Sequence, residues 1–473
     1  MRILGSLARK LEDCTDGFTV EAFGQDVQPM IEEALARNNK DLQRKSKLSP
    51  VLTVWTVLAL SLCRAKSYKN ALSWLLSGLR SRGLDAPRDP VADGAISHAR
   101  KRIGVDVLRD LFYASTEKAS ELAQDFHGFL SVAIDGTGMT MPDTPGNVKR
   151  FGKPGTGRGK AGFPQTRVVA LVATAVHAIY DVAFGPFVGK GTGERTLAMQ
   201  LITRNACEHL LFLLDKGFYG FDLLDAILQR SAPFIVAVPD HVKLKPIRRS
   251  RRPDGSYLAW LIGKVEDPAG PLPDGRKRWK EVKHKVRVIE YQIPGFRKRR
   301  VATSLRHFEI LASEIVRHYH RRWEIELAYD ELKTHQSARC KGQCQTVLRS
   351  KLPELVEQEI YAMVTVYNFL RELINDAARN HDLDPLSISF VDALQAILDT
   401  IPLMAAAAAQ RLPDLYRQLL DDIAACRMKY WRRPRAYPRV VKVKMSNFEL
   451  KKPQNVGGFR DFDAEMQVLG ATG

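Results

Sequence analysis

Phe129-Leu130-Ser131-Val132-Ala133-Ile134-Asp135-Gly136 is a short apolar run that ends in a carboxylate and a turn residue. A second stretch, Leu210-Leu211-Phe212-Leu213-Leu214-Asp215-Lys216-Gly217, repeats the design. Runs of this length and composition predict buried strands, each delivering an aspartate at its tip. A buried strand end is a costly place for a carboxylate unless a cation or hydrogen bonds compensate. A divalent metal is one such cation; the plain alternative is that each aspartate caps a turn.

A third acid stands in a charged helical stretch, Tyr319-His320-Arg321-Arg322-Trp323-Glu324-Ile325-Glu326. In a regular helix of about 100° per residue, Tyr319, Arg322, Glu326 and Lys333 fall within an arc of about 60°. Such a stripe is normally apolar because it faces a core. Here it carries an acid, two cations and a phenol. It reads either as a solvated face, with Arg322 and Glu326 as an i,i+4 ion pair, or as a metal-ligating carboxylate flanked by phosphate-holding groups.

Around the first run the pattern is mixed. Leu130–Ile134, Val168–Val176 and Ile179–Phe184 predict three strands. A helix over Arg195–Ile202, the strand ending at Asp215, a helix over Phe221–Leu228 and a strand over Pro233–Val238 follow. Residues 1 to about 125 read as helical, and the helix Asp93–Ile103 places Arg100, Lys101 and Arg102 on an exposed last turn. That region suits DNA-end binding or a packing module with solvated cations. Gly146–Gly162, rich in glycine and cations, suits close approach to phosphates or a surface loop, and lacks the pattern of a nucleotide-binding P-loop. Segment 240–308 has Pro-Asp-Gly turns and the alternating run Val282–Ile293, which predicts a β-rich insertion. Its Trp260 and Trp279 can stack on bases or pack a small core, and Trp323 can do either. Helices are expected from Glu326 to about Ala378 and over Ser387–Leu420, including the alanine run 405–409.

Net charge is +19 over 473 residues, with 45% apolar and 26% charged side chains. The surplus is local. From Lys243 to Arg306 there are 19 Lys+Arg against 6 Asp+Glu, and from Arg427 to Lys452 there are 10 against 1. Arg297, Lys298, Arg299 and Arg300 form the densest cluster. Concentrated positive charge is the footprint of a polyanion, and nucleic acid fits better than a membrane. Six cysteines give no disulfide framework, Cys340 and Cys344 lack a second pair for zinc, and no stretch reads as a signal peptide or membrane span. A reducing cytoplasm is the expected home.

The spacing Tyr319-x2-Arg322-x3-Glu326-x6-Lys333 resembles the signature of the insertion-sequence-4 family of DDE transposases. Asp135-Gly136-Thr137 resembles the family's first Asp box and Asp215-Lys216-Gly217-Phe218-Tyr219 its second, with Lys216 where arginine is commoner. Ala95–Arg102 and the basic tail Pro434–Lys442 extend the likeness over nearly the whole chain. The resemblance implies an α/β fold: a ribonuclease-H-like catalytic core (126–239 and 309–380), a β-rich basic insertion (240–308), a helical N-terminal DNA-binding domain (1–125), and a helical C-terminal region with a basic tail (381–473). It implies cut-and-paste transposition by phosphodiester hydrolysis and strand transfer. Asp135, Asp215 and Glu326 would hold two Mg²⁺ (or Mn²⁺) ions. Tyr319, Arg322 and Lys333 would hold phosphates, and Arg297–Arg300, Arg100 and Arg102 would contact double-stranded DNA, both the element's terminal inverted repeats and the target. A homodimer in the synaptic complex follows. The competing expectations are an inactive or domesticated DNA-binding relative and a nuclease of the same fold acting on other substrates.

Overall fold

The computed structural model describes residues 27–41, 48–62, 67–81, 91–120, 124–156, 159–267, 269–270, 274, 276–307, 309–336, 348–428, 435–436 and 460–472. Cys340, Cys344 and most of the basic tail lie outside them. The strands that matter are β1 (Leu130–Thr140), β2 (Gln165–Ala173), β3 (Ile179–Pro186), β4 (Leu210–Leu214), β5 (Phe234–Ala237), β6 (Tyr257–Glu266), β7 (Trp279–Gln292) and β8 (Arg299–Thr303). The chain forms two compact units, Met1–Leu122 with Gly136–Leu197 and Ile325–Lys429, and Ala123–Asp135 with Ala198–Glu324 and Tyr430–Gly473.

The first unit is organised by one helix, Pro353–Asn380, with 28 residues. Most of its side chains are buried, which no amphipathic surface helix would allow. Helices Pro50–Leu62, Asp93–Ile103, Asp106–Ser120 and Leu412–Ala425 pack on it. Pro50–Leu62 is apolar all round (Val54, Val57, Leu58, Leu60) and is enclosed accordingly. Among the described residues no helix is long and apolar enough to cross a membrane. Asp93–Ile103 ends as expected at Gly104, whose φ of 79° suits glycine. β2 and β3 pair antiparallel, Val168 opposite Phe184.

Three expectations change in this unit. Gly146–Gly162 is not a bare loop: Thr144 caps a helix over Pro145–Phe151. In it, Arg150 pairs with Glu357 at 2.9 Å, and beyond it Lys153 pairs with Asp143 at 2.6 Å. The alanine run is only partly helical, because the helix Phe390–Ala406 stops where Ala407 turns extended. The expected long helix beyond Glu326 is broken: Glu324–Asp330 is α-helical, Glu331–His335 is a π-helical turn, and the long helix begins anew at Pro353.

The second unit is a mixed sheet ordered β1 (its Leu130–Asp135 half), β4, β5, β8, β7, β6. β1, β4 and β5 are parallel, with Leu130 opposite Leu210 and Phe212 opposite Phe234. Their unbroken apolar sequences fit strands covered on both faces. The segment read as an insertion does not stand apart. β8 pairs antiparallel with β5, and β7 and β6 extend the same sheet, so the insertion lengthens the core sheet. Gly263 in β6 lies under Phe221 of the helix Phe221–Leu228, where a Cβ would be 1.9 Å from the ring. Near the far end of the sequence, Gln467–Val468 adds to β7, and Phe462 stacks on His320 at 4.1 Å.

Candidate active site

The parallel ladder between β1 and β4 ends at Ile134 opposite Leu214. Asp135 and Asp215 are the next residues on each strand. They therefore leave neighbouring strands at one level and toward one face, about 4.8 Å apart across the sheet. Both are partly exposed. β4 stops there because Lys216–Phe218 turns into a 3₁₀ helix. β1 does not stop: it runs on to Thr140, so Asp135 is not a strand tip as expected but the point where its partner leaves.

Tyr319 braces this strand end. It is buried, and its hydroxyl donates to the Leu214 carbonyl at 3.1 Å. Burial lifts the phenol well above its ordinary range against the opposing pull of Arg322, whose guanidinium also hydrogen-bonds it. With its one proton donated to that carbonyl, Tyr319 acts as a strut beneath Asp215. Arg322, also buried, lies in the 3₁₀ turn Arg321–Trp323 with its guanidinium 4.7 Å from the Trp323 ring centre. Trp323 itself is 39% exposed, which favours the stacking alternative over packing.

In the first unit, Glu326 lies exposed on the helix Glu324–Asp330. Lys333, half-buried on the π turn, donates from Nζ to Thr137 Oγ1 at 2.7 Å. That threonine is two residues beyond Asp135 on β1. Burial pulls the lysine's pKa down, opposed by Asp330. The single-face arithmetic for the four signature residues does not hold, because a 3₁₀ turn and a π turn interrupt the regular 100° step. Sequence reading also missed why glycine follows Asp135. A Cβ at Gly136 would be 2.6 Å from Glu194 Cγ, so the Glu194 side chain lies directly on that backbone.

The other candidates divide. Arg100 is a correction: it is 2% exposed, not solvated. It donates to the Leu355 carbonyl at 2.8 Å and to Gln358, Tyr68 and Ser350 at 3.2–3.3 Å, which knits Asp93–Ile103 to the long helix. Arg102 and Lys101 remain exposed. In the basic cluster, Lys298 pairs with Glu290 at 2.5 Å, and half-buried Arg300 donates to the carbonyls of Pro239 and Val242 at 3.1 and 2.9 Å. Arg299 hydrogen-bonds Tyr291, and Arg297 is exposed. Trp260 is half-buried under Lys285 at 5.5 Å, whereas Trp279 is 57% exposed.

Two carboxylates side by side are hard oxygen donors, which suit a divalent cation. Among the described residues no group of three or more His, Cys, Asp or Glu side chains gathers as a metal site. Asp135 and Asp215 thus fit a metal as a pair.

Known proteins resemble this chain over most of its length. The model of the transposase DDE domain family matches residues 127–369, and that of the insertion element 4 transposase N-terminal region matches 20–113. The transposase InsG for insertion sequence element IS4 of Escherichia coli (strain K12) is 28% identical over 440 residues, covering 90% of this chain and 93% of that protein. A piggyBac transposase in a synaptic complex with hairpin DNA, determined by cryo-EM, aligns at a TM-score of 0.40 and 9% identity over 87% of this chain and 81% of that one, a likeness from which no shared fold follows. The chain belongs to the IS4 family of DDE transposases and is a divalent-metal-dependent DNA transposase.

Proposed function

We propose that this transposase works by cut-and-paste, nicking the ends of its own element, forming and opening hairpins, and joining the freed ends to target DNA. The observation that carries the reading is the placement of Asp135 and Asp215 on adjacent parallel strands where their ladder ends. The parallel order of the Leu130–Asp135 half of β1 with β4 and β5 supports a ribonuclease-H-like core. Asp135, Asp215 and Glu326 would hold Mg²⁺ or Mn²⁺. When bound, the metal makes water or a 3′-hydroxyl a nucleophile near neutral pH and stabilises the leaving oxygen.

The rest falls to the protein. Tyr319 fixes the height of the strand end from which Asp215 projects. Lys333 supplies positive charge beside β1, suited to a phosphate at the cleaved end. Exposed Trp323 and Trp279 offer faces on which an unpaired base can stack. Arg297, Lys101 and Arg102 contact duplex phosphates of the terminal inverted repeats and target, and a homodimer holds two ends together.

The test uses the full chain and a supercoiled plasmid carrying the DNA that flanks its gene on both sides. Asp215→Asn and Glu326→Gln should reduce Mg²⁺-dependent nicking to background. Affinity for the same DNA in a gel shift should stay within about twofold, because it is set by cations that these changes spare. Nicking by either variant at the wild-type rate would remove that residue from the active site.

A further inference from the structure

Four polar side chains, used by none of the chemistry above, meet beneath the π turn that carries Lys333. Glu331 opens the turn, Tyr367 and Arg371 lie one helical turn apart on Pro353–Asn380, and His177 sits between β2 and β3. The His177 backbone has a φ of 58°, a left-handed conformation uncommon outside glycine. Glu331 Oε2 accepts from the Tyr367 hydroxyl at 2.8 Å and from Arg371 Nε at 3.0 Å, with a further close contact to Arg371 Nη2. His177 Nδ1 lies 2.6 Å from that same Nη2. The same Nδ1 lies 3.3 and 3.2 Å from Glu331 Oε1 and Oε2, so the ring edge faces both the guanidinium and the carboxylate. All four side chains are shut away from solvent. Burial alone would raise the Glu331 carboxyl, but Arg371 and then His177 outweigh it and hold it far below the usual carboxylate range.

A buried ion pair is poor support for stability, since desolvation cancels most of its attraction. It does fix register. A π turn is rare, occurs mostly as a single turn, and is frequent at functional sites. Glu331 stands five residues after Glu326 and two before Lys333. A slip of one residue there would swing each side chain by about 100°.

We propose that Glu331, Arg371, Tyr367 and His177 are positioning residues that lock the register of residues 324–336, so that Glu326 and Lys333 present their side chains as the reaction requires. This rests on the assignment of Glu326 to the active site.

The full-length protein and the plasmid described above provide the test, with Glu331→Gln and the apolar double variant Glu331→Leu/Arg371→Met. Thermal midpoint, gel-shift affinity, nicking rate and amide hydrogen exchange without DNA are measured on each. The double variant should melt like the wild type, because apolar side chains of similar volume can replace a buried pair. It should nonetheless nick about a hundredfold more slowly, the cost of a misplacement of roughly 1 Å. In both variants exchange protection should fall over residues 324–336 and persist over Phe390–Ala406, with gel-shift affinity unchanged. A double variant that melts and nicks like the wild type overturns the proposal. So does a Glu331→Gln protein whose protection over 324–336 is intact or lost evenly along the chain, and this criterion decides alone if the double variant does not fold. Wild-type nicking by Glu326→Gln would instead sink the assignment of Glu326, and leaves the exchange result standing.

Discussion

His318 is neutral in the folded protein, with its pKa pushed down to about 3 by burial, then by Arg321 and His127. Its ring stacks on Phe126 at 3.9 Å and its Nε2 is 2.6 Å from Ser131 Oγ. In the unfolded chain the imidazole titrates near its ordinary 6.5. Below that value the unfolded state binds the proton and the folded state does not, so stability falls as pH drops and is complete only above about 6.5. Denaturant unfolding should lose about 2 kcal/mol from this group between pH 8 and pH 5. His318→Phe should flatten that part of the profile, at the cost of the bond to Ser131; an unchanged slope would show that the ring is not the titrating group. Arg100 gives a second residue-level test, because its side chain was expected at a DNA surface and lies in a buried network. Arg100→Ala should destabilise by about 2–4 kcal/mol through lost charge-assisted hydrogen bonds. The folded fraction should bind DNA as before, whereas Lys101→Ala with Arg102→Ala should weaken binding and spare the melting temperature. The opposite pattern would return Arg100 to the DNA interface.

Elements were legible in the sequence wherever period and punctuation agreed. The strand Leu210–Leu214 and the helix Phe221–Leu228 follow from apolar runs closed by Asp-Lys-Gly and opened by Gly220. The two aspartates were legible for the same reason. What could not be read was partnership. Nothing in the spacing of Arg100 announces that Gln358 and Leu355, some 250 residues away, will take its protons. Nor does the run from Tyr319 to Lys333 reveal its 3₁₀ and π turns, since tertiary contacts such as those of Glu331 hold them. The basic cluster shows the same limit and carries a prediction. Counted as charge, Arg297, Lys298, Arg299 and Arg300 offer four phosphate contacts, or about 3.6 on the log–log salt slope. With Lys298 paired to Glu290 and Arg300 bound to backbone carbonyls, neutralising all four should lower the slope by only about 1 to 2. A drop near the full value would mean that these pairs open on DNA.

Across the whole molecule, neither compact unit is one continuous stretch, and the chain passes between them repeatedly. The consequence is sharpest for the N-terminal helices, which the sequence suggests as a separate DNA-binding domain over 1–125. Helices Pro50–Leu62 and Asp106–Ser120 bury apolar faces against Pro353–Asn380, with the Phe112 ring 6.1 Å from Tyr361. Val54, Leu58, Leu108, Leu111 and Phe112 are almost wholly enclosed in the intact chain. A fragment ending at residue 122 lacks the long helix and would present part of that surface to water. Each large side chain so exposed forfeits about 1.5–3 kcal/mol of burial, and a few such losses match the entire stability of a typical domain. The fragment should therefore bind a hydrophobic dye such as ANS, give a poorly dispersed amide spectrum and aggregate, while the full chain does none of these. Adding a separate chain of residues 348–428 should rescue it at least in part, because the missing partner is then restored in trans. A monomeric fragment with a dispersed spectrum and wild-type affinity for the flanking DNA would show instead that the N-terminal helices fold alone, and that their packing on the long helix is a docking of finished parts.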